Sequence, residues 1–203
     1  MRALILAGAK RQPQLVMDHV CYVSLPPLSY CRGTYFFTVV TCRRQPILCD
    51  DLVHHALRSA IVSVRATRPF IIDAWVLLPD HMHCIWTLPA GDADYAARWN
   101  LIKRRVSVMC RGAYQRGEWL TASNRKHRES THWQRRYWEH QVRDEPDFVR
   151  HVDYIHYNAV KHGHCKRVVD WPYSTFHRYV GRGYYPLDWG GVGDDVDTMV
   201  VGE

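Results

Sequence analysis

Residues 75–89 read WVLLPDHMHCIWTLP. The apolar run from Ala74 to Leu78 meets Pro79-Asp80, and a second apolar run resumes after His81-Met82-His83 through Cys84, Ile85 and Trp86. Two short runs rich in β-branched and aromatic residues, separated by a Pro-Asp break, predict two strands joined by a tight connection. On a strand, residues two apart share a face. His81 and His83 therefore project together, and Met82 turns to the core. Two imidazoles side by side can grip one divalent metal ion. The spacing alone is not diagnostic, because His162-Gly163-His164 repeats it in a chain with 13 His. The pair needs a polar partner from another element.

Working outward, residues 34–41 (TYFFTVVT) predict a strand before this pair. Residues 51–65 predict an amphipathic helix, with Leu52, Ala56, Ala60 and Val64 at i+4 steps beside Val53, Leu57 and Ile61. A second helix is expected over 93–111, with Trp99, Ile102, Val106 and Met109 on one side. Residues 112–131 are polar, basic and glycine-bearing, the pattern of a loop. Residues 133–143 hold a fourth strand. Asp144-Glu145-Pro146-Asp147 is a helix start: acidic residues, with proline in the first turn. Phe148, Val152, Ile155 and Ala159 continue it as an apolar stripe to about Lys161, and Gly163 closes it.

The order β-α-β-β-α-β with one further helix predicts an α+β, ferredoxin-like (RRM-like) antiparallel sheet with helices on one face and the other face open for a ligand. Residues 1–30 lack periodicity and hold Pro13, Pro26 and Pro27, an irregular extension. Residues 31–165 are the main folded domain in this reading. Residues 166–203 form an aromatic, Gly/Pro-rich tail packed on it, the last ten residues disordered.

At 203 residues, the length suits one domain with a sizeable core. Seven Cys, an odd number with no CxxC pair, argue against a disulfide framework or a zinc knuckle and for reduced thiols in the cytoplasm. No apolar run approaches the roughly 20 residues of a membrane span, so no membrane partner is expected. The net charge of +7 favours a polyanionic one.

Residues 153–158, DYIHYN, lie on the third helix. Tyr154 and Asn158 are one turn apart, on a face beside the apolar stripe. The helix could bring a phenol and an amide oxygen to the histidine pair together. Two imidazoles and an amide oxygen leave positions open on a divalent ion, which can polarise a phosphodiester. A tyrosine oxygen is a competent nucleophile once activated. Tyr157 is the rival nucleophile, although it is turned about 100° from Asn158. His156 is a further candidate ligand or base.

His81-Met82-His83 after a strand resembles the paired-histidine motif of the HUH single-strand endonucleases. Residues 153–163, DYIHYNAVKHG, resemble the nucleophile helix of the REP-associated tyrosine transposases, relatives of the single-tyrosine transposases of small bacterial insertion sequences. Residues 75–89, 133–143 and 171–177 look family-like too, and the resemblance spans about 29–190. It implies that His81, His83 and Asn158 hold Mg²⁺ or Mn²⁺, which an amide oxygen suits better than zinc. It implies that Tyr154 attacks single-stranded DNA, leaving a 5′-phosphotyrosine link and a free 3′-OH, and that the reverse step rejoins strands. The implied substrate is a repetitive extragenic palindromic (REP) hairpin with a guide tetranucleotide at its 5′ foot. The implied setting is the nucleoid, and the state a monomer or homodimer. Ala159 stands where the family often has proline, a difference that leaves the chemistry untouched.

Residues 98–143 carry twelve Lys/Arg against three Glu, a local +9 that exceeds the charge of the whole chain. Trp99, Tyr114, Trp119, Trp133, Tyr137 and Trp138 are interleaved with them. Positive charge tracks a nucleic-acid backbone and aromatics stack unpaired bases. Arg135, Arg136, Lys103 and Arg104 are the expected phosphate contacts and Trp133 an expected stacking residue. Two other functions fit the residues: a palindrome-binding regulator that does not cut, and a metal-dependent hydrolase of another phosphate ester.

Overall fold

The aromatic and β-branched run after Gly33 forms β1 (Thr34–Val40). The computed structural model describes residues 33–126 and 129–190, so the expected irregular extension and the expected disordered end lie outside the described residues. After a 3-10 turn at Cys42–Arg44 come α1 (Asp51–Thr67), β2 (Ile71–Leu77) and β3 (His81–Thr87). Then follow α2 (Tyr95–Met109), two short helices, α3 (Arg111–Tyr114) and α4 (Ala122–Lys126), and β4 (Trp138–Gln141). The long α5 (Glu145–Lys161) and the short α6 (Phe176–Gly181) complete the order. The stretch expected as a loop, 112–131, thus carries short helical turns. All strand pairs are antiparallel and the spatial order is β2-β3-β1-β4, the ferredoxin-like arrangement.

Strand alternation sorts the sheet into two faces. On one, Tyr35, Phe37, Val39, Met82, Cys84 and Trp86 form a core with α1 and α2. Trp86 and Trp99 stack there at 4.1 Å. Met109, expected on the inner side of α2, sits at its last residue and is exposed. On the other face, Phe36, Ala74, Val76 and Ile85 pack against Phe148, Val152, Ile155 and Ala159 of α5. The expected open face is therefore covered across its middle. The stripe on α5 has to be buried, and the alternate residues of β1, β2 and β3 supply a second apolar surface for it.

The caps fix where α5 starts and stops. Asp144 Oδ1 accepts the Asp147 N–H at 2.8 Å. At the other end Gly163 takes φ +72°, and the N–H groups of Gly163 and His164 bond the carbonyls of Val160 and Ala159, both at 2.9 Å. This is the Schellman pattern.

The C-terminal residues belong to the same core. Leu77 N–H donates to Tyr173 O and Thr175 N–H to Trp75 O, each at 2.9 Å, so this segment covers the β2 edge. Val168, Phe176, Tyr179 and Tyr185 are buried against α5. Within this contact the Tyr185 hydroxyl donates to the buried Asp153 carboxylate. Burial pushes the Asp153 carboxyl up to about 6, although the Tyr185 hydrogen bond works the other way. An unfolded Asp titrates near 4. The folded chain therefore holds this proton more tightly, and stability falls as pH rises from about 4 to about 6. Asp153→Asn should flatten that slope and add on the order of 2–3 kcal/mol above pH 7, measured by urea unfolding at pH 4.5 and 7.5.

Candidate active site

Pairing aligns His83 with Thr38 of β1, and His81 with Val40. The face that carries the two histidines is the one beneath α5. His81 and His83 have ring centroids 5.0 Å apart. The Tyr154 ring meets His83 edge-on at 5.1 Å. His162, just past α5, meets His81 at 5.1 Å. Asn158 lies one turn from each of these two contacts, on the same side of the helix. His81, His83, Tyr154 and Asn158 are buried, Tyr154 being 3% exposed, His83 1% and Asn158 0%, while His162 is exposed at the rim.

The hydrogen bonds set the state of each imidazole. His81 Nδ1 donates to Asp80 Oδ1 at 2.7 Å, which directs its Nε2 lone pair away from the carboxylate. Arg44 Nη1 holds the other oxygen of Asp80 at 3.1 Å. Burial acts to raise the Asp80 carboxyl, but the hydrogen bond and charge of His81, with those of Arg44, outweigh it and hold the group below the usual carboxylate range. Arg43 and Arg44 both have φ 53°, a left-handed conformation that costs a residue with a Cβ about 1–2 kcal/mol. That turn carries Arg44 to Asp80. Thr38 Oγ1 lies 2.9 Å from His83 Nδ1. Burial, reinforced by His81, His162, Lys161 and Arg44, pushes His83 well below its ordinary range, so it is neutral. With Nδ1 donating to Thr38, Nε2 is an acceptor.

His83 Nε2 and both amide atoms of Asn158 are buried with no hydrogen-bond partner among the described residues. Buried polar atoms are nearly always paired, so an imidazole nitrogen and an amide oxygen in this state fit a metal ion. A carboxylate behind a ligating histidine is the usual support of such an ion. His81, His83 and Asn158 are thus residues that could hold such an ion. Lys161 places its ammonium 4.9 Å from the centre of the Tyr154 ring.

A second group, His140, Asp147 and His151, also has its ligand atoms within 4.8 Å of one another. Here the atoms already bond each other: His140 Nε2 to Asp147 Oδ2 at 2.8 Å, and His151 Nδ1 to the Asp147 carbonyl at 2.7 Å. Arg143 and Arg150 lie 3.6 and 3.3 Å from the Asp147 carboxylate. Burial works to raise this carboxyl, but the His140 and Arg143 hydrogen bonds and the nearby imidazoles bring it down to about 2. Two guanidinium charges oppose a divalent ion at this second group, although His151 Nε2, like His83 Nε2, is buried with no hydrogen-bond partner among the described residues.

The rivals of Tyr154 and the histidine pair point elsewhere. Tyr157 packs toward Val168 and Gly190, where any Cβ on Gly190 would meet its ring at 3.2 Å. His156 donates to or accepts from Thr175 Oγ1 at 3.1 Å and is ringed by Phe176, Tyr179 and Tyr185. Trp133 requires correction as a stacking residue: it is 8% exposed and its rings belong to the α1–α2 core. Lys103 donates to Gln134 O at 3.1 Å and lies over Tyr137, and burial pushes it down to about 8. It and Arg104 are on α2, across the sheet from Tyr154. Arg98 is buried and ion-paired with Asp92 at 2.6 Å, so its charge is spent inside. Arg104, Arg135 and Arg136 are exposed, Arg135 lying 3.3 Å from Glu129.

Residues 33–190 therefore define a class: a ferredoxin-like protein whose paired strand histidines face a tyrosine and an asparagine on one helix. No family model matches the chain. It is 47% identical to the REP-associated tyrosine transposase of Escherichia coli (strain K12) over 172 residues, 84% of this chain and 91% of that protein. A relative from Haemophilus influenzae is 42% identical over 163 residues, 78% of this chain and 88% of its own length. A solved structure of a REP-associated tyrosine transposase bound to a REP hairpin is similar at 46% identity and a TM-score of 0.68, over 84% of this chain and 91% of the other. The chain belongs to the REP-associated tyrosine transposase family.

Thr38, Asp80, Arg44, Lys161 and His162 are site residues absent from the sequence expectation. Asp80 had a visible signal, since it precedes His81 directly. The others become neighbours only through strand pairing and helix packing. Asp80→Asn and Thr38→Val should each weaken Mn²⁺ binding about 10–100-fold, measured by calorimetry on protein whose melting temperature is unchanged.

Proposed function

We propose that this chain is a metal-dependent single-stranded DNA endonuclease and strand transferase acting at palindromic hairpins. The observation that carries the reading is that Tyr154 of α5 meets His83, which sits beside His81, while the buried amide of Asn158 lies one turn along the same helix. The related structure bound to a REP hairpin supports the choice of substrate. Membership of this family supports action in the cytoplasm; separately, no helix among the described residues is long and apolar enough to cross a membrane.

His81, His83 and the Asn158 amide oxygen would hold Mg²⁺ or Mn²⁺, which when bound supplies a Lewis acid for the phosphodiester. Tyr154 Oη attacks phosphorus in line. The new bond is phosphorus to tyrosine oxygen, and the broken bond is phosphorus to the 3′ oxygen. The phenol proton is lost and the departing 3′ oxygen gains one, so the products are a 5′-phosphotyrosine and a free 3′-OH. Lys161 puts positive charge beside the ring that must lose its proton. Asp80 and Thr38 hold the imidazoles in one orientation and leave their lone pairs for the ion. The ester link conserves the bond energy, so attack by a 3′-OH rejoins a strand without a further energy source.

The test is incubation of the full chain with a hairpin-bearing single strand and Mn²⁺, followed by denaturing electrophoresis and peptide mass spectrometry. A covalent adduct is expected on Tyr154. It should fall to background in Tyr154→Phe and in excess EDTA, and persist in Tyr157→Phe. Retained hairpin binding with no adduct under Mg²⁺ or Mn²⁺ would replace this reading with that of a non-cleaving palindrome binder. Hairpin binding that survives Tyr154→Phe is expected in either case.

A further inference from the structure

Among the described residues, Trp138 is the most exposed Phe, Tyr or Trp, at 38%. Its place in the sheet is specific. Trp138 pairs with Thr38, and Thr38 pairs with His83, so the three form one row across β4, β1 and β3. Directly paired residues share a face. The indole therefore stands on the Tyr154 side of the sheet, two strand spacings, about 10 Å, from the histidine. Its edge meets Phe36 at 5.6 Å, and Phe36 in turn meets Tyr154 at 6.0 Å and His83 at 5.6 Å.

The ring is also braced. His140 lies parallel to it at 5.8 Å and 8°, and His151 lies parallel to His140 at 4.8 Å and 15°. Asp147 bonds both imidazoles and anchors them to the first turn of α5. The indole is thus covered by this stack and by Phe36, and 38% of the residue remains exposed. Arg143 and Arg150, exposed and tied to Asp147, rim this stack with positive charge, and exposed Arg136 precedes it by two residues.

We infer that Trp138 is the base-stacking platform for one unpaired nucleobase of the strand whose phosphate reaches Tyr154, with Arg136, Arg143 and Arg150 facing its backbone. A flat, pre-oriented indole beside cations suits a single-stranded nucleotide, since every base has a π-face. A base pair inside the duplex has both faces already stacked and cannot use it. The inference rests on the strand-transfer reading and gives it a specific nucleotide subsite.

The experiment is fluorescence anisotropy with the full chain in EDTA, so that binding is measured without cleavage. Two probes are used: a blunt DNA hairpin, and the same hairpin with a single-stranded extension at its foot. Trp138→Ala should weaken binding of the extended hairpin roughly 5–150-fold and change that of the blunt hairpin less than about twofold. Trp138→Phe should recover most of the loss. An abasic site scanned along the extension should, at one position, weaken the wild type and erase the difference from Trp138→Ala. Unchanged binding of the extended hairpin by Trp138→Ala, or equal loss on both probes, overturns the inference and leaves the strand-transfer reading standing. Failure of the wild type to bind either probe overturns both.

Discussion

The structure depends on one helix that buries apolar and polar residues at once. On α5, Phe148, Val152, Ile155 and Ala159 pack on the sheet, while Tyr154 and Asn158 ride on the adjoining side, with His162 following one turn later. A buried side chain such as Phe or Ile contributes about 1.5–3 kcal/mol. A buried polar atom left without a partner costs about 1–3 kcal/mol. The stripe can therefore hold the amide of Asn158 and the Nε2 of His83 in place against their own preference for water. The caps at Asp144 and Gly163 fix the ends of the helix, and with them the turn from which each side chain departs.

The sheet beneath has a matching division of labour. In β1, Phe37 and Val39 enter the tryptophan-rich core while Phe36 and Thr38 face the site. In β3, Met82 and Cys84 do the first job and His81 and His83 the second. A substitution that moved either strand by one residue would exchange the two sets, because the side-chain period is two. Core packing and site geometry are thus set by the same registration. The imidazoles are then held from other elements, by Thr38 on one and by Asp80 with Arg44 on the other.

The basic residues divide between structure and surface. Arg98 and Lys103 are consumed by internal carbonyls and carboxylates, whereas Arg104, Arg135 and Arg136 remain exposed. The +9 of residues 98–143 therefore overstates what reaches solvent. The same holds for aromatics. Trp99 and Trp133 serve the core and Trp138 the surface, although all three sit among cations in the chain.

Local pattern determined much of this protein. Period-two runs around a Pro-Asp break set two strands and put His81 and His83 on one side; the 148/152/155/159 stripe set α5, and an i,i+4 step tied Tyr154 to Asn158. These are short-range consequences of backbone geometry. Tertiary structure decided the rest. That α5 covers the sheet face expected to be open follows from Phe36, Ala74, Val76 and Ile85, whose common face exists only once three strands are paired. That Tyr154 and not Tyr157 meets His83, and that Thr38 supports that imidazole from 45 residues away, depends on which side of a helix meets which row of a sheet. Such contacts leave no spacing to read in the chain, because their partners are brought together by burial rather than by sequence separation.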